Sequence, residues 1–204
     1  SSVIIASRNN TGAITERDWN YGAGCESAYL SFDPNDPLLV YGGCYQGYIE
    51  VLNTKTNEIK DIQAYPSLNL AIQPKEMKYR FNWNAPIVYD PLETGAFYHA
   101  GNILFKTTDL GKTWKAVSPD LTRHDTTKMG MSGVPYTNEG AGGENYCTIS
   151  YVAISENEKG VIYTGSDDGL VYLTKDGGAH WTNITPKNVE ECLINAIEVS
   201  SIHK

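Results

Sequence analysis

Apolar and polar residues alternate with a period of two along most of this chain, in short runs closed by Gly, Asp, Asn or Pro. That period places alternate side chains on opposite faces of an extended backbone, and the runs are rich in β-branched and aromatic residues, so they predict strands rather than helices. A helical turn fits only locally, around 74–79. Three stretches, 27–63, 85–118 and 148–185, share one order of events. An alternating strand runs into a polar turn, and a second strand ends on a tyrosine followed by small residues: Tyr41-Gly42-Gly43, Tyr98-His99-Ala100-Gly101 and Tyr163-Thr164-Gly165. A third strand follows, at 48–52, 103–106 and 170–173, and then a tight turn and a fourth strand opening near Trp114 and Trp181 in the last two copies.

Four short antiparallel strands repeated along a chain predict an all-β fold, a β-propeller segment in which each blade is too small to bury its own faces and packs on its neighbours. The matched tyrosines recur at intervals longer than the roughly 40 to 45 residues of a compact blade. The excess falls in insertions between blades, 64–84 and 119–146. Residues 1–19 read as the last strands of a preceding blade, with an irregular turn at Ser7 to Gly12, and 194–204 read as the first strand of a further one. About three whole blades and two partial ones fall short of the roughly four to eight that close a propeller. The expectation is therefore that remaining blades come from the same longer chain or from another copy.

The turns before the two tryptophans repeat in detail. Thr107, Asp109, Gly111, Thr113 and Trp114 recur as Thr174, Asp176, Gly178, His180 and Trp181. In a hairpin turn an aspartate accepts backbone N–H groups, glycines take positive φ, and an indole opening the outer strand wedges between blades. These residues are expected to be structural, with both aspartates occupied by the turn. The spacing resembles the Asp-box, or bacterial neuraminidase (BNR) repeat, with His180 replacing the threonine in the second copy. Such boxes occur in sialidases, xyloglucanase-type glycoside hydrolases and sortilin (VPS10) propellers. Together with the stretches 79–86, 138–146 and 165–186, the chain resembles exported bacterial sortilin-like and glycosyl-hydrolase-like repeat proteins. That resemblance implies a propeller fold and a secreted, periplasmic or cell-surface location. The boxes mark blade turns rather than active sites, and the resemblance assigns no catalytic acid.

Charge narrows the partners. A formal net charge of −8 repels polyphosphate, and the few cations are not clustered, so nucleic acid is not an expected partner. No apolar run reaches the roughly 18 to 20 residues of a membrane-spanning helix. The four cysteines, Cys25, Cys44, Cys147 and Cys192, show no zinc-ligand spacing. Cys25 and Cys44 are the first pair to consider for a disulfide, beside the alternative that all are free thiols. Asn9 and Asn183 head glycosylation sequons that matter only in a glycosylating host. His99, His124, His180 and His203 are scattered as surface or turn residues, no cofactor motif occurs, and no metal site is expected; Asp167 and Asp168 before Gly169 suit a tight turn better than calcium.

In the usual propeller layout, the connections between blades share a rim with the turns between second and third strands, opposite the tryptophan turns. Rigid blades that gather loops on one rim build sites there. That rim collects Glu26, then Arg80, Asn82, Trp83 and Asn84, then Glu139, Glu144 and Asn145, then Asp167 and Asp168. Aromatic residues beside amides suit sugar rings or peptide side chains; Phe81 and Trp83 equally suit a plug between blades. Carboxylates on the glycine-rich stretch 137–146 either reach the central channel or cap backbone amides. Three functions follow as expectations: a ligand-binding propeller for peptide, protein or glycan; part of a glycoside hydrolase, which needs two carboxyl groups roughly 5 to 9.5 Å apart; or a non-catalytic assembly scaffold. With only Arg8, Arg17, Arg80 and Arg123 present, an arginine cluster for a sialidase is not expected.

Overall fold

In the computed structural model, three runs of four strands each close into an antiparallel meander. It describes residues 2–26, 29–67, 69, 72–131, 134–135 and 143–202. A two-stranded ribbon comes first, β1 (Val3–Ile5) with β2 (Trp19–Tyr21). The first full sheet is β3 (Leu30–Asp33), β4 (Asp36–Gly43), β5 (Ile49–Asn53) and β6 (Glu58–Asp61). The second is β7 (Ile87–Tyr89), β8 (Phe97–Ala100), β9 (Leu104–Thr107) and β10 (Lys115–Ala116). The third is β11 (Ile149–Ile154), β12 (Ile162–Ser166), β13 (Val171–Thr174) and β14 (Thr182–Asn183). Within each sheet every strand pairs with its neighbour in sequence. This is the four-stranded blade of a β-propeller, and the chain is an all-β propeller segment. The expected helical turn is a short 3-10 turn at Pro74–Glu76.

The apolar faces meet between blades, as the repeat required. Tyr41, Ile49, Val51 and Ile62 of the first blade pack on Ile87 and Phe97 of the second, with Trp114 against them. Tyr98, Ala100 and Leu104 of the second pack on Ile149, Val152 and Ile162 of the third, with Val117 and Trp181 alongside. Neither sheet would be buried alone, so the folding unit is the stack.

Trp114 and Trp181 each also make a polar contact across a blade boundary. Trp114 Nε1 donates to the Ile62 carbonyl at 2.6 Å and Trp181 Nε1 to the Val117 carbonyl at 2.9 Å. The acceptors are equivalent: the N–H groups of Ile62 and Val117 bond back to Ile49 and Leu104, the first residues of the third strands of their own blades.

The turns that carry these tryptophans match bond for bond. Thr107 Oγ1 donates to Asp109 Oδ1 (2.9 Å) and accepts from Gly111 N–H (3.0 Å), while Asp109 accepts from the Thr113 N–H (2.9 Å) and hydroxyl (2.7 Å). Thr174, Asp176, Gly178 and His180 repeat it, with His180 Nδ1 taking the place of the hydroxyl at 2.7 Å. The turn needs two consecutive residues at positive φ, met by Gly177 (70°) and Gly178 (101°) in one copy but by Leu110 (62°) and Gly111 (80°) in the other.

Two sequence expectations change here. Residues 194–202 form no strand; a strand needs a continuous ladder, whereas this segment attaches through the Ile194 N–H to the Ser166 carbonyl at 3.0 Å. That bond matches the one from Ile149 N–H to Gly101 (2.8 Å) at the preceding blade boundary, so Ile194 occupies the start of the next inner position. His99 is a core residue rather than a surface or turn one, fully buried against the Phe81 ring at 5.0 Å. Burial lowers its pKa to about 4, so the imidazole is neutral.

Candidate functional site

The blade connections and the turns between second and third strands meet on one face. Gln46 Oε1 accepts from Asn69 N–H at 3.0 Å, Arg80 O accepts from Asn102 N–H at 2.8 Å, and Asp168 Oδ2 accepts from Arg123 N–H at 2.7 Å. Each pair joins a turn to a connecting segment, which is how the rim is made rigid.

Arg80 is the strut of this rim and not a ligand group. Its side chain is 2% exposed, and the guanidinium bonds the Cys147 carbonyl (3.1 Å), Asp120 (2.7 Å) and the Thr122 hydroxyl (3.3 Å). Burial works against ionisation of Asp120, but the Thr122 hydroxyl, the Arg80 charge and Asn102 hold its pKa below the usual carboxylate value. The amides of Asn82 and Asn145 add a reciprocal clamp, Asn82 Nδ2 to the Asn145 carbonyl (2.9 Å) and Asn145 Nδ2 to the Phe81 carbonyl (2.8 Å). These bonds tie 80–84 to 143–147, a tertiary link that no local pattern shows.

Where the inner strands converge, Tyr29 Oη donates to the Ser150 carbonyl at 3.3 Å, joining the first blade to the third. Beside it opens a cavity of about 470 Å³ lined by Tyr29, Asn82, Asn84, Glu144, Thr148, Ser150, Asp167, Leu193 and Asn195. Four of the residues singled out in the sequence, Asn82, Asn84, Glu144 and Asp167, are brought together here. Asp167 is 3% exposed and accepts from the Thr148 N–H (2.9 Å) and hydroxyl (2.8 Å). Burial and the neighbouring Asp168 raise its pKa to about 7 against those two bonds. Glu144 Oε2 and Asn145 Oδ1 are buried without a hydrogen-bond partner among the described residues. A buried carboxylate oxygen left unsatisfied is costly, and such a cost persists where a ligand group completes the site.

The other sequence candidates lie elsewhere. Asp168 is fully buried and spent on Arg123 and the Ser166 hydroxyl (2.5 Å), so it shapes the turn. Phe81 is 3% exposed in the core, whereas Trp83 is half-buried, edge-on to Tyr45 at 5.0 Å. Glu26 is exposed next to the Cys25–Cys44 bridge and does not line this cavity, and Glu139 lies outside the described residues. Tyr29, Ser150 and Asn195 were missed. Tyr29 directly precedes the inner strand β3 and Ser150 lies near the start of β11, and only the arc of the blades turns those positions toward one point. Among the described residues no group of three or more His, Cys, Asp or Glu is placed to hold a metal ion, and no helix is long and apolar enough to cross a membrane.

Cys25 and Cys44 form a disulfide, with Cα atoms 5.1 Å apart. Cys147 is a buried free thiol whose pKa burial pushes up to about 12, and Cys192 is free and exposed.

The fold and its rim define a class: an arc of β-propeller blades with a polar cavity where the inner strands meet. No family model and no curated protein matches the chain. Among solved structures it is similar to YCF48 bound to D1 peptide (16% identity, TM-score 0.43, 76% of this chain and 38% of that one). It is likewise similar to YCF48 from Cyanidioschyzon merolae (15% identity, TM-score 0.42, 76% and 35%) and to the GH74 enzyme of Niastella koreensis (18% identity, TM-score 0.43, 82% and 23%). The chain thus spans well under half the length of each of these neighbours.

Proposed function

We propose that this segment is a sortilin-like, Asp-box ligand-binding propeller working outside the cytoplasm, secreted, periplasmic or at a cell surface, and holding a peptide, protein or glycan on its loop-rich rim. The observation that carries this reading is the cavity beside Tyr29 and Ser150, where amides, hydroxyls and two carboxyl groups converge on rigid blades. Amides and hydroxyls beside carboxyl groups suit a ligand rich in hydroxyl or amide groups. The Cys25–Cys44 disulfide supports an oxidising compartment. The turns 107–114 and 174–181, with their shared threonine, aspartate and glycine bonding, support the Asp-box reading.

A second reading, part of a glycoside hydrolase of the xyloglucanase-like type, draws on one observation. Asp167, with its raised pKa, keeps the proton that a general acid needs, and Glu144 lines the same cavity. Screening the protein on peptide and glycan arrays, and for turnover of soluble β-glucans, separates the two. A binding module retains affinity in Asp167→Asn, loses it in the double variant Asn82→Ala with Glu144→Gln, and shows no turnover. An enzyme shows turnover that Glu144→Gln and Asp167→Asn each abolish. Array ligands that bind the double variant as tightly as the wild type would remove the cavity from the account and favour a scaffold.

A further inference from the structure

A second cavity on the same rim shares no lining residue with the first. It measures about 580 Å³ and is walled by Tyr21, Tyr45 and Tyr48 together with the Cys25–Cys44 disulfide. Glu50 lines it, 6% exposed, on the third strand of the first blade.

The bonding of Glu50 is unusual for so buried a carboxylate. Oε1 accepts from the Gly24 N–H at 2.8 Å and the Tyr21 hydroxyl at 3.3 Å, and Oε2 accepts from the Tyr48 hydroxyl at 3.0 Å. All three donors are neutral. The same Tyr48 hydroxyl lies 2.5 Å from Asp61 Oδ1, so one phenol sits between two carboxylates. Among the described residues neither Glu50 nor Asp61 takes part in an ion pair; Lys60, next to Asp61 in the chain but opposite Val51 in the ladder, pairs with Glu58 at 3.3 Å. The Tyr21 and Tyr48 hydroxyls carry one proton each and also face the Gly24 carbonyl and Asp61, so neutral donors recover only part of the lost hydration of a buried carboxylate, which ordinarily finds a cation.

The construction of the floor keeps this carboxylate in place. Gly24 has φ 80°, and a Cβ there would stand 2.3 Å from the Gly43 carbonyl. The segment 22–25 therefore crosses the end of β4 at backbone contact distance, and the disulfide fastens it there. Rigid walls of tyrosine around a fixed anionic floor are the surroundings in which an organic cation gains both a charge-assisted hydrogen bond and contact with aromatic faces.

We propose that this tyrosine-walled cavity is a subsite for a cationic side chain, the ammonium of lysine or the guanidinium of arginine, presented by a peptide or protein partner, with Glu50 as its counter-ion. The net charge of −8 draws such a partner in from solution. The proposal stands on its own geometry and does not depend on the reading of the cavity around Asp167.

The test is titration of the 15N-labelled protein with N-acetyl-lysine methylamide and N-acetyl-arginine methylamide, following the Gly24 amide resonance that reports on Glu50. Nζ-acetylated N-acetyl-lysine methylamide, the same body without charge, is the control. Saturable movement of Gly24 with at least one cationic probe and none with the control is expected. In Glu50→Gln the affinity should fall by about tenfold, the scale of one lost charge-assisted contact. Asp61→Asn, on the exposed β6 strand, guards against a folding artefact and should weaken binding by a smaller factor, more so at low salt. Equal affinity for the control, or unchanged affinity in both variants, overturns the proposal.

Discussion

Trp114 donates its indole N–H to the backbone carbonyl of Ile62 across 2.6 Å, and in doing so ties the outer strand of one blade to the outer edge of the blade before it. The same bond recurs between Trp181 and Val117, so it is a property of the repeat. Replacing either tryptophan by phenylalanine keeps most of the apolar contact and loses the bond, which should cost about 1 kcal/mol. Replacement by alanine opens a gap between blades and should cost roughly 3 to 5 kcal/mol. The two sites share no partner, so their effects in urea denaturation should add; strong coupling would mean the blades do not stack independently.

Leu110 sits at φ 62°, where its counterpart in the second turn is Gly177. A non-glycine residue pays roughly 1 to 2 kcal/mol for that conformation. Leu110 is 40% exposed, so its packing is partial. Leu110→Gly should therefore be neutral to stabilising, by up to about 1 kcal/mol after the greater flexibility of glycine in the unfolded chain is subtracted. Gly111→Ala should do the reverse, because its φ is 80° and a Cβ would stand 2.6 Å from the Ile62 side chain. Thermal midpoints of both variants decide it, and an unstable Leu110→Gly would show that the leucine contributes packing.

His99 and Asp167 give opposite pH dependences. The folded pKa of His99, about 4, lies below its ordinary 6.5, so between those values the unfolded chain binds a proton that the folded one refuses, and stability rises with pH. Asp167 at about 7 lies above its ordinary 3.8, so the folded chain holds the extra proton and stability falls as pH rises through that window. At about 1.4 kcal/mol per unit, the His99 effect is roughly 3 to 4 kcal/mol and the Asp167 effect roughly 4 to 5 kcal/mol, so the two largely offset. Asp167→Asn removes the second alone. Its stability relative to the wild type should improve from about pH 4 to about pH 7 and level off above, where Asp167 is ionised in both folded and unfolded chains. A pH-independent difference would mean that Asp167 ionises normally.

The disulfide closes a separation of 19 residues between Cys25 and Cys44. Loop-closure entropy of that size gives about 3 kcal/mol, so the paired serine variant should unfold at markedly lower denaturant. It should also loosen Gly24 over Glu50, visible as faster amide exchange at Gly24 under native conditions. Unchanged exchange there would show that backbone packing, not the bridge, holds the floor.

Blade identity was legible along the chain because it rests on local rules. Period-two alternation sets strands, and Asp109 and Asp176 with their glycines set the hairpin turns through bonds within five residues, so Trp114 and Trp181 fall at the same place in each copy. The rim was legible in part. Asn82, Asn84 and Glu144 on connecting loops and Asp167 on a turn between strands were found as polar rim groups and do line one cavity, while Arg80 and Asp168 share that chemistry but are consumed by Asp120 and Arg123. Composition cannot separate a ligand group from a strut, because the two differ only in which partner the fold brings near.

What the sequence alone determined, then, is the repeating unit, since its strands and turns are made by neighbours in the chain. What only the tertiary structure decided is everything set by the arc between blades. It brings Tyr29 to Ser150 across 121 positions, buries His99 as a neutral core residue, and lays Gly24 over Glu50 among three tyrosines. Contacts between residues that far apart follow from the angle at which one sheet packs on the next, and no local periodicity carries that angle.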